Sequence, residues 1–542
     1  MCNASEVSDD RGFDFSEGDQ VSIKFRLYTF DCPDIAALFR YFATVRQDLS
    51  EPPKWRNEIP FSAAWEIVEE KYNRENWQGQ DEFYRSSISP HERYGEWQTG
   101  WVGGGMNTYP MLLVGDPLSK SRSISTLDFL FRKVQASSGF FYGTYSRGTL
   151  YGDDSYMEDN TPCVLLRKNA DLIYFLGKQL FLQDYVDIEI PSLWKEGYGR
   201  ACDAFVRLWE NNGQFGQFID IERETILIGG TASAGIAPAA LALASKYWNR
   251  PDYLAIAEQA ADYYNEYFVR QGVTTGGPGE ICQCPDSESA FALLESYVVL
   301  YEITGKKKWL GMAEAAADLC ASWCVSYDYV YPEGSEFKKL DLRSTGAVWA
   351  SVQNKHAGPG ICTLSGDSLF KLYRATGNPF YLDLLRGIAH NLPQYLSRED
   401  RPLVISFSWE GLPRGENSPS GRMGERVNTS DWEGKENIGG VDGGSCWCEV
   451  SLMLTYIEVP GVYIQKDSGF VYAFDHVDAR VEEQNQNQVI VSLSNPTNFT
   501  AKVNVFIENE TDRIKPLGEN AMLNWQSVVI EPRAKQLLSI NK

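Results

Sequence analysis

The chain has 542 residues, with 73 Asp and Glu against 50 Lys and Arg for a net charge of -23. Such a surface repels phosphate backbones and anionic lipid alike, which excludes nucleic acid as a partner. The composition, 43% hydrophobic and 23% charged, is that of a globular protein and excludes wholesale disorder.

The first residues, Met1 to Ser5, lack the basic and apolar regions of a signal peptide. Cys2 followed by Asp9 and Asp10 also suits a trimmed lipoprotein start, so localisation stays open. Val21 to Tyr28 alternates apolar and polar side chains as a strand does, but no partner strand lies near it in sequence. An upstream β domain missing from the chain would explain the orphan. A helix follows from Asp34 to Asp48, and residues 1–60 read as a strand and linker helix ahead of the main domain.

From residue 105 to residue 456 a loop, an apolar helix, a short turn and a more amphipathic helix recur. The clearest copy runs Ala234 to Trp248, turns at Asn249-Arg250-Pro251-Asp252 and continues through Tyr253 to Ala260. A second pairs Ala290 to Ile303 with Trp309 to Trp323 across Thr304-Gly305, and a third pairs Ser365 to Ala375 with Phe380 to Tyr395 across Thr376 to Pro379. Weaker copies have first helices near Asn107 to Leu113 and Val164 to Leu182, and second helices near Leu127 to Val134 and Leu193 to Trp209. The last first-type helix, Cys446 to Tyr456, has no partner after it, and the unpaired Ala63 to Tyr72 supplies one, closing a ring of six.

First-type helices carry Ala, Gly, Cys and Leu on nearly all faces and second-type helices carry charged stripes, as an inner and an outer layer do. Parallel inner helices bring the six long loops that precede them to one mouth. After Pro460 the period changes to two, at Gln488 to Ser494, Ala501 to Ile507 and Gln536 to Ile540. The division expected is therefore 61–460 as a helical catalytic domain and 461–542 as a small antiparallel β domain. The longest apolar run, Ile236 to Ala244, is nine residues with Pro238 inside it, well short of the roughly 20 that cross a bilayer.

Six hairpins, a β module behind them and a linker helix ahead resemble the (α/α)6-barrel carbohydrate enzymes, a group of glycoside hydrolases and polysaccharide lyases. The residues that carry the likeness are the turns Tyr301-Glu302-Ile303-Thr304-Gly305 and Tyr373 to Leu382, with the tail Val491 to Asn495. The resemblance implies a mainly α fold, an (α/α)6 toroid with a C-terminal β domain, and a carbohydrate substrate. It leaves the chemistry to be argued from the site.

Glycoside hydrolysis needs one carboxylic acid to protonate the leaving oxygen and one carboxylate as base or nucleophile. Glu280, in Thr274 to Glu280 ahead of an inner helix and beside Ile281 and Cys282, is expected to be partly buried and so to suit a general acid. Its partner is expected among Asp153, Asp154, Asp220 and Asp442. Other mouth-loop acids, among them Glu222, Asp286, Glu288 and Asp431, read mainly as capping or surface groups. The 15 Trp and 29 Tyr supply flat faces for sugar rings. Trp97, Trp101, Tyr145, Trp349, Trp432 and Trp447, all interleaved with these acids, are the expected stacking residues, and Arg147 and Lys355 the expected cations for a sugar carboxylate.

His356, one of four histidines, is either a further cation for a uronate or, with Asn354 and a tyrosine such as Tyr329 or Tyr331, the base of a lyase elimination. A third reading uses sulfur. Glu280-Ile281-Cys282 is similar to the Glu-x-Cys of retaining β-L-arabinofuranosidases, which implies a zinc-bound cysteine nucleophile with Cys282, Cys446 and Cys448 as candidate ligands. The departure is that the second pair of that family is adjacent and lies one inner helix on, whereas Trp447 separates Cys446 from Cys448 two inner helices on. Small cysteines packing between inner helices are the simpler alternative, and no cofactor is then required. A non-catalytic glycan-binding barrel is the alternative to an enzyme, one in which no pair of mouth carboxylates matters.

Overall fold

The structure, a computed structural model, describes the chain except for residues 1–13, 51–54, 89–94, 154–161, 280–282, 409–411, 429–437 and 444–445. Twelve of its helices form two concentric layers of six. The inner layer is α3 (Thr108–Val114), α5 (Leu166–Tyr185), α7 (Ala237–Trp248), α9 (Ser287–Thr304), α12 (Asp367–Thr376) and α14 (Trp447–Glu458). The outer layer is α2 (Phe61–Lys71), α4 (Pro117–Phe129), α6 (Ser192–Asn212), α8 (Pro251–Tyr267), α10 (Lys307–Trp323) and α13 (Phe380–Asn391). Outside the rings, α1 (Ile35–Leu49) packs on α10, and α11 (Glu336–Lys339) is a single turn. This is the (α/α)6 barrel expected.

The hairpins turn where expected because the backbone is forced there. Asn249, Gly305 and Gly377 end α7, α9 and α12 in the left-handed region, and Pro251 opens α8 with its missing N–H at a position that needs none. Asp286 caps α9 by accepting from the Ser289 N–H at 2.7 Å. The inner helices α5 and α9 are buried on nearly every face, whereas α6 and α10 bury one stripe.

The ring closes between the two ends of the barrel sequence. On α2, Lys71 pairs with Glu449 of α14 at 3.5 Å, both buried, and Trp65 packs on Tyr456 with ring centres 5.9 Å apart. On the other side of α14, Val450 fills the space where a Cβ at Gly103, just ahead of α3, would fall. The α4 helix departs from expectation. It begins at Pro117, capped by Asp116, and passes into a wider π turn at Leu130–Val134. Four serines between 119 and 125 hid its amphipathic period.

The C-terminal residues form two sheets: β1 (Val462–Gln465), β2 (Phe470–Ala473), β5 (Ala501–Glu508) and β6 (Gln526–Ile530) in the order β2-β1-β5-β6, and β3 (Asp478–Gln484), β4 (Gln488–Ser494) and β7 (Lys535–Asn541) in the order β3-β4-β7. Most pairings are antiparallel, but β1 runs parallel to β5, with Tyr463 opposite Phe506. A small core of Val, Ile and Leu side chains separates the sheets. Arg374 of α12 anchors them to the barrel, giving Glu508 of β5 two hydrogen bonds, at 3.0 and 2.6 Å, with both side chains buried. At the other end, residues 20–32 form no ladder, so Val21 to Tyr28 is extended without a partner strand among the described residues. No helix among the described residues is long and apolar enough to cross a membrane.

Candidate active site

The loops ahead of the inner helices meet at one end of the barrel. Gly100 lies so close to the Lys168 carbonyl at the start of α5 that a Cβ would stand 2.0 Å from its oxygen, and its φ of 55° is one that glycine adopts without strain. That approach lays Trp101 across the mouth. Its indole N–H donates to Glu288, in the first turn of α9, at 3.0 Å. Arg167, in the first turn of α5, forms an ion pair with the same carboxylate oxygen and donates from Nε to Asp171 at 3.2 Å. Its remaining nitrogen reaches the Cys362 carbonyl ahead of α12 at 3.4 Å.

One guanidinium thus ties the starts of three inner helices together and serves two carboxylates. Arg167 is 2% exposed, Asp171 3% and Glu288 9%, so these charges face one another with little water between them. Burial pushes the Asp171 carboxyl up to about 6, against the opposing pull of Arg167. Glu288 takes a guanidinium and an indole N–H on one carboxylate oxygen. Trp447, at the start of α14, packs where a Cβ at Gly358 would fall, and the half-buried Glu425 has its backbone carbonyl 3.9 Å from the Cys448 thiol.

Several expected site residues have other duties. Asp153 is ion-paired with Lys168 and accepts the Leu165 N–H at 2.8 Å, so it fixes the entry to α5. Asp220 accepts from the backbone N–H groups of Glu222 and Arg223, both at 3.0 Å, as the organiser of a turn. Asp442 is fully buried and ion-paired with Arg426 at 3.1 Å. Trp97 and Tyr145 depart from the stacking role expected of them. Both are buried in an aromatic cluster with Phe83 and Phe129, where the apolar surface of large rings is best hidden.

His356 departs from the role of cation. It is buried, its Nδ1 stands 3.0 Å from the Ala357 carbonyl, and burial together with the Arg426 charge pushes its pKa down to about 3, so the ring is neutral at ordinary pH. Arg147 and Lys355 occupy turns at positive φ with exposed side chains, and Trp349 is half-buried with its indole N–H on the Ser351 carbonyl at 3.1 Å. Glu280, Asp154, Trp432 and Cys282 lie outside the described residues. Gly279 is described, and a Cβ there would stand 3.0 Å from the Trp101 ring, so the chain just ahead of Glu280 is at the mouth.

Among the described residues no three His, Cys, Asp or Glu side chains stand close enough together to hold a metal ion. Cys446 takes hydrogen bonds from Lys71 and Asn76 at 3.4 and 3.3 Å, on the side of α14 that faces α2, and burial pushes the Cys448 thiol up, away from the thiolate that zinc requires.

Arg167 and Asp171 fall inside the helix expected from Val164 to Leu182 rather than in a mouth loop, and Glu288 is among the mouth-loop acids expected to be capping or surface groups. The signal that was available is the spacing of Arg167 and Asp171 at i and i+4 in the first two turns of an otherwise apolar inner helix.

No family model and no curated protein matches the chain. Solved structures do match it. A D-mannose isomerase is 12% identical and covers 74% of this chain and 96% of its own, with a TM-score of 0.50. The cellobiose 2-epimerase of Bacillus thermoamylovorans is 9% identical over 73% of this chain and 97% of its own, at 0.47, and the unsaturated glucuronyl hydrolase of Bacillus sp. GL1 is 12% identical over 72% and 93%, at 0.45. At these identities the likeness is one of fold, the (α/α)6 barrel.

Proposed function

We propose that the chain is a carbohydrate-active enzyme that hydrolyses a glycosidic bond at this mouth. The observation that carries the reading is the Arg167 cluster: a carboxylate, Glu288, is held by a guanidinium and an indole N–H where the inner helices start, beside the half-buried face of Trp101.

In this reading the sugar ring lies against Trp101. Glu288, held in place by Arg167, acts on the anomeric carbon directly or by taking a proton from the attacking water. Glu280, which directly follows Gly279 at the mouth, is the group assigned to protonate the leaving oxygen. Asp171 does not touch the substrate; it holds Arg167 and so orients Glu288. A neutral, buried His356 supplies no positive charge for a sugar carboxylate.

The test is an incubation with neutral and uronic-acid oligosaccharides, followed by mass analysis and by absorbance at about 235 nm, where an unsaturated uronate absorbs. Release of saturated sugar, reduced roughly a thousandfold in both Glu288→Gln and Glu280→Gln, is the expected result. Growth of the 235 nm band would replace hydrolysis by elimination. Interconversion of free sugars without bond cleavage would replace it by isomerisation. Normal turnover in Glu288→Gln would overturn the assignment of the site.

A further inference from the structure

Away from the mouth, a cleft of about 380 Å³ lies between the end of α1, the outer helix α13 and the strand β2. Its walls carry two guanidinium groups, Arg46 and Arg386, against one carboxylate, Asp383, which accepts the Tyr472 hydroxyl at 2.6 Å. Arg386 lies between two rings, 4.9 Å from the centre of Trp55 and 5.6 Å from that of Tyr472. Its Nε is buried and has no hydrogen-bond partner among the described residues. Arg46 spends its donors on the backbone carbonyls of Ala321, at 2.9 Å, Cys324, and Val325, at 3.3 Å. Neither guanidinium forms an ion pair with a carboxylate among the described residues.

On a chain with a net charge of -23, two guanidinium groups without carboxylate partners in one concavity form a local positive site that attracts an anion. Among the described residues of the lining the excess over Asp383 is one positive charge, which matches a monoanion such as a carboxylate rather than a phosphate dianion. Guanidinium also pairs with carboxylate in matched fork geometry. The rest of the lining fits a sugar. Gln47, Ser50, Ser326 and Thr345 supply neutral donors and acceptors, and Trp55 and Phe380 supply apolar faces.

We propose that this cleft is a second glycan-binding site that takes a uronate sugar unit, its carboxylate on Arg386 and its hydroxyls on the polar wall. The site is independent of the reaction at the mouth and would hold an acidic glycan to the outside of the barrel.

The test is calorimetric titration of the full chain with trigalacturonate, with the neutral trisaccharide maltotriose and with inorganic phosphate. Trigalacturonate is expected to bind the wild type and Glu288→Gln alike, and to bind Arg386→Gln at least about tenfold more weakly. Ser326→Glu, which places a negative charge on the half-buried wall and leaves Arg386 in the sequence, should weaken it by a similar factor and serves if Arg386→Gln fails to fold. Maltotriose and phosphate should not bind at the same concentrations. Unchanged affinity in Arg386→Gln or Ser326→Glu, equal binding of maltotriose, binding of phosphate alone, or loss of binding in Glu288→Gln only would each overturn the proposal.

Discussion

Asp171→Asn should make the protein more stable at pH 7 while making it a poorer enzyme. Asp171 is 3% exposed, and burial raises its carboxyl from the ordinary 3.8 to about 6 even though Arg167 pulls it the other way. Between those two pH values the folded chain binds a proton that the unfolded chain has released, so stability falls as pH rises through the window. Above pH 6 the ionised group costs about 3 kcal/mol relative to its neutral form, and below about pH 4 it costs nothing. Asn has nearly the shape of the protonated acid, and its carbonyl can still accept the Arg167 Nε–H found at 3.2 Å.

Urea melts followed by tryptophan fluorescence from pH 4 to pH 8 should therefore show the variant gaining up to about 3 kcal/mol over wild type at pH 7, with the gap closing towards pH 4. Asp286 and Asp475, also raised to about 6 by burial, are common to both proteins and cancel in the difference. Turnover should fall, because Arg167 loses the charge that orients it on Glu288. A variant less stable than wild type at pH 7, and relatively less stable there than at pH 4, would refute the reasoning. It would show that the Arg167 pair outweighs the burial of Asp171.

Three further outcomes are expected. Lys71→Met leaves Glu449 buried without its cation at the seam between α2 and α14 and should lower stability by about 3–5 kcal/mol in urea melts, with Glu449→Gln in the same chain recovering part of the loss. Gly346→Ala should yield no folded protein by circular dichroism, since its Cβ would stand 1.9 Å from the Gly387 carbonyl oxygen at a φ of 92°. Trp101→Phe keeps an aromatic face but removes the indole N–H from Glu288, and should lower kcat about tenfold with little change in KM.

The architecture was legible in the sequence because each device that makes it acts locally. Asn249 with Pro251, Thr304-Gly305 and Thr376 to Pro379 stop one helix and start the next by backbone conformation alone, and apolar content on all faces separates the inner helices from the outer. Even the closing helix, Phe61–Lys71, followed from counting partners. The period of two after Pro460 located β4, β5 and β7 within a residue or so of their observed ends.

The site was not legible in the same way. Acids in Gly-rich loops look alike in sequence, whereas Asp153, Asp220 and Asp442 differ from Glu288 only in which neighbours the fold brings to them: a lysine, a turn's N–H groups, an arginine, or an arginine with an indole. Arg167 and Glu288 are 121 residues apart. A buried charge is placed by the partner that compensates it, and across that separation only the closed ring of helices decides which partner that is.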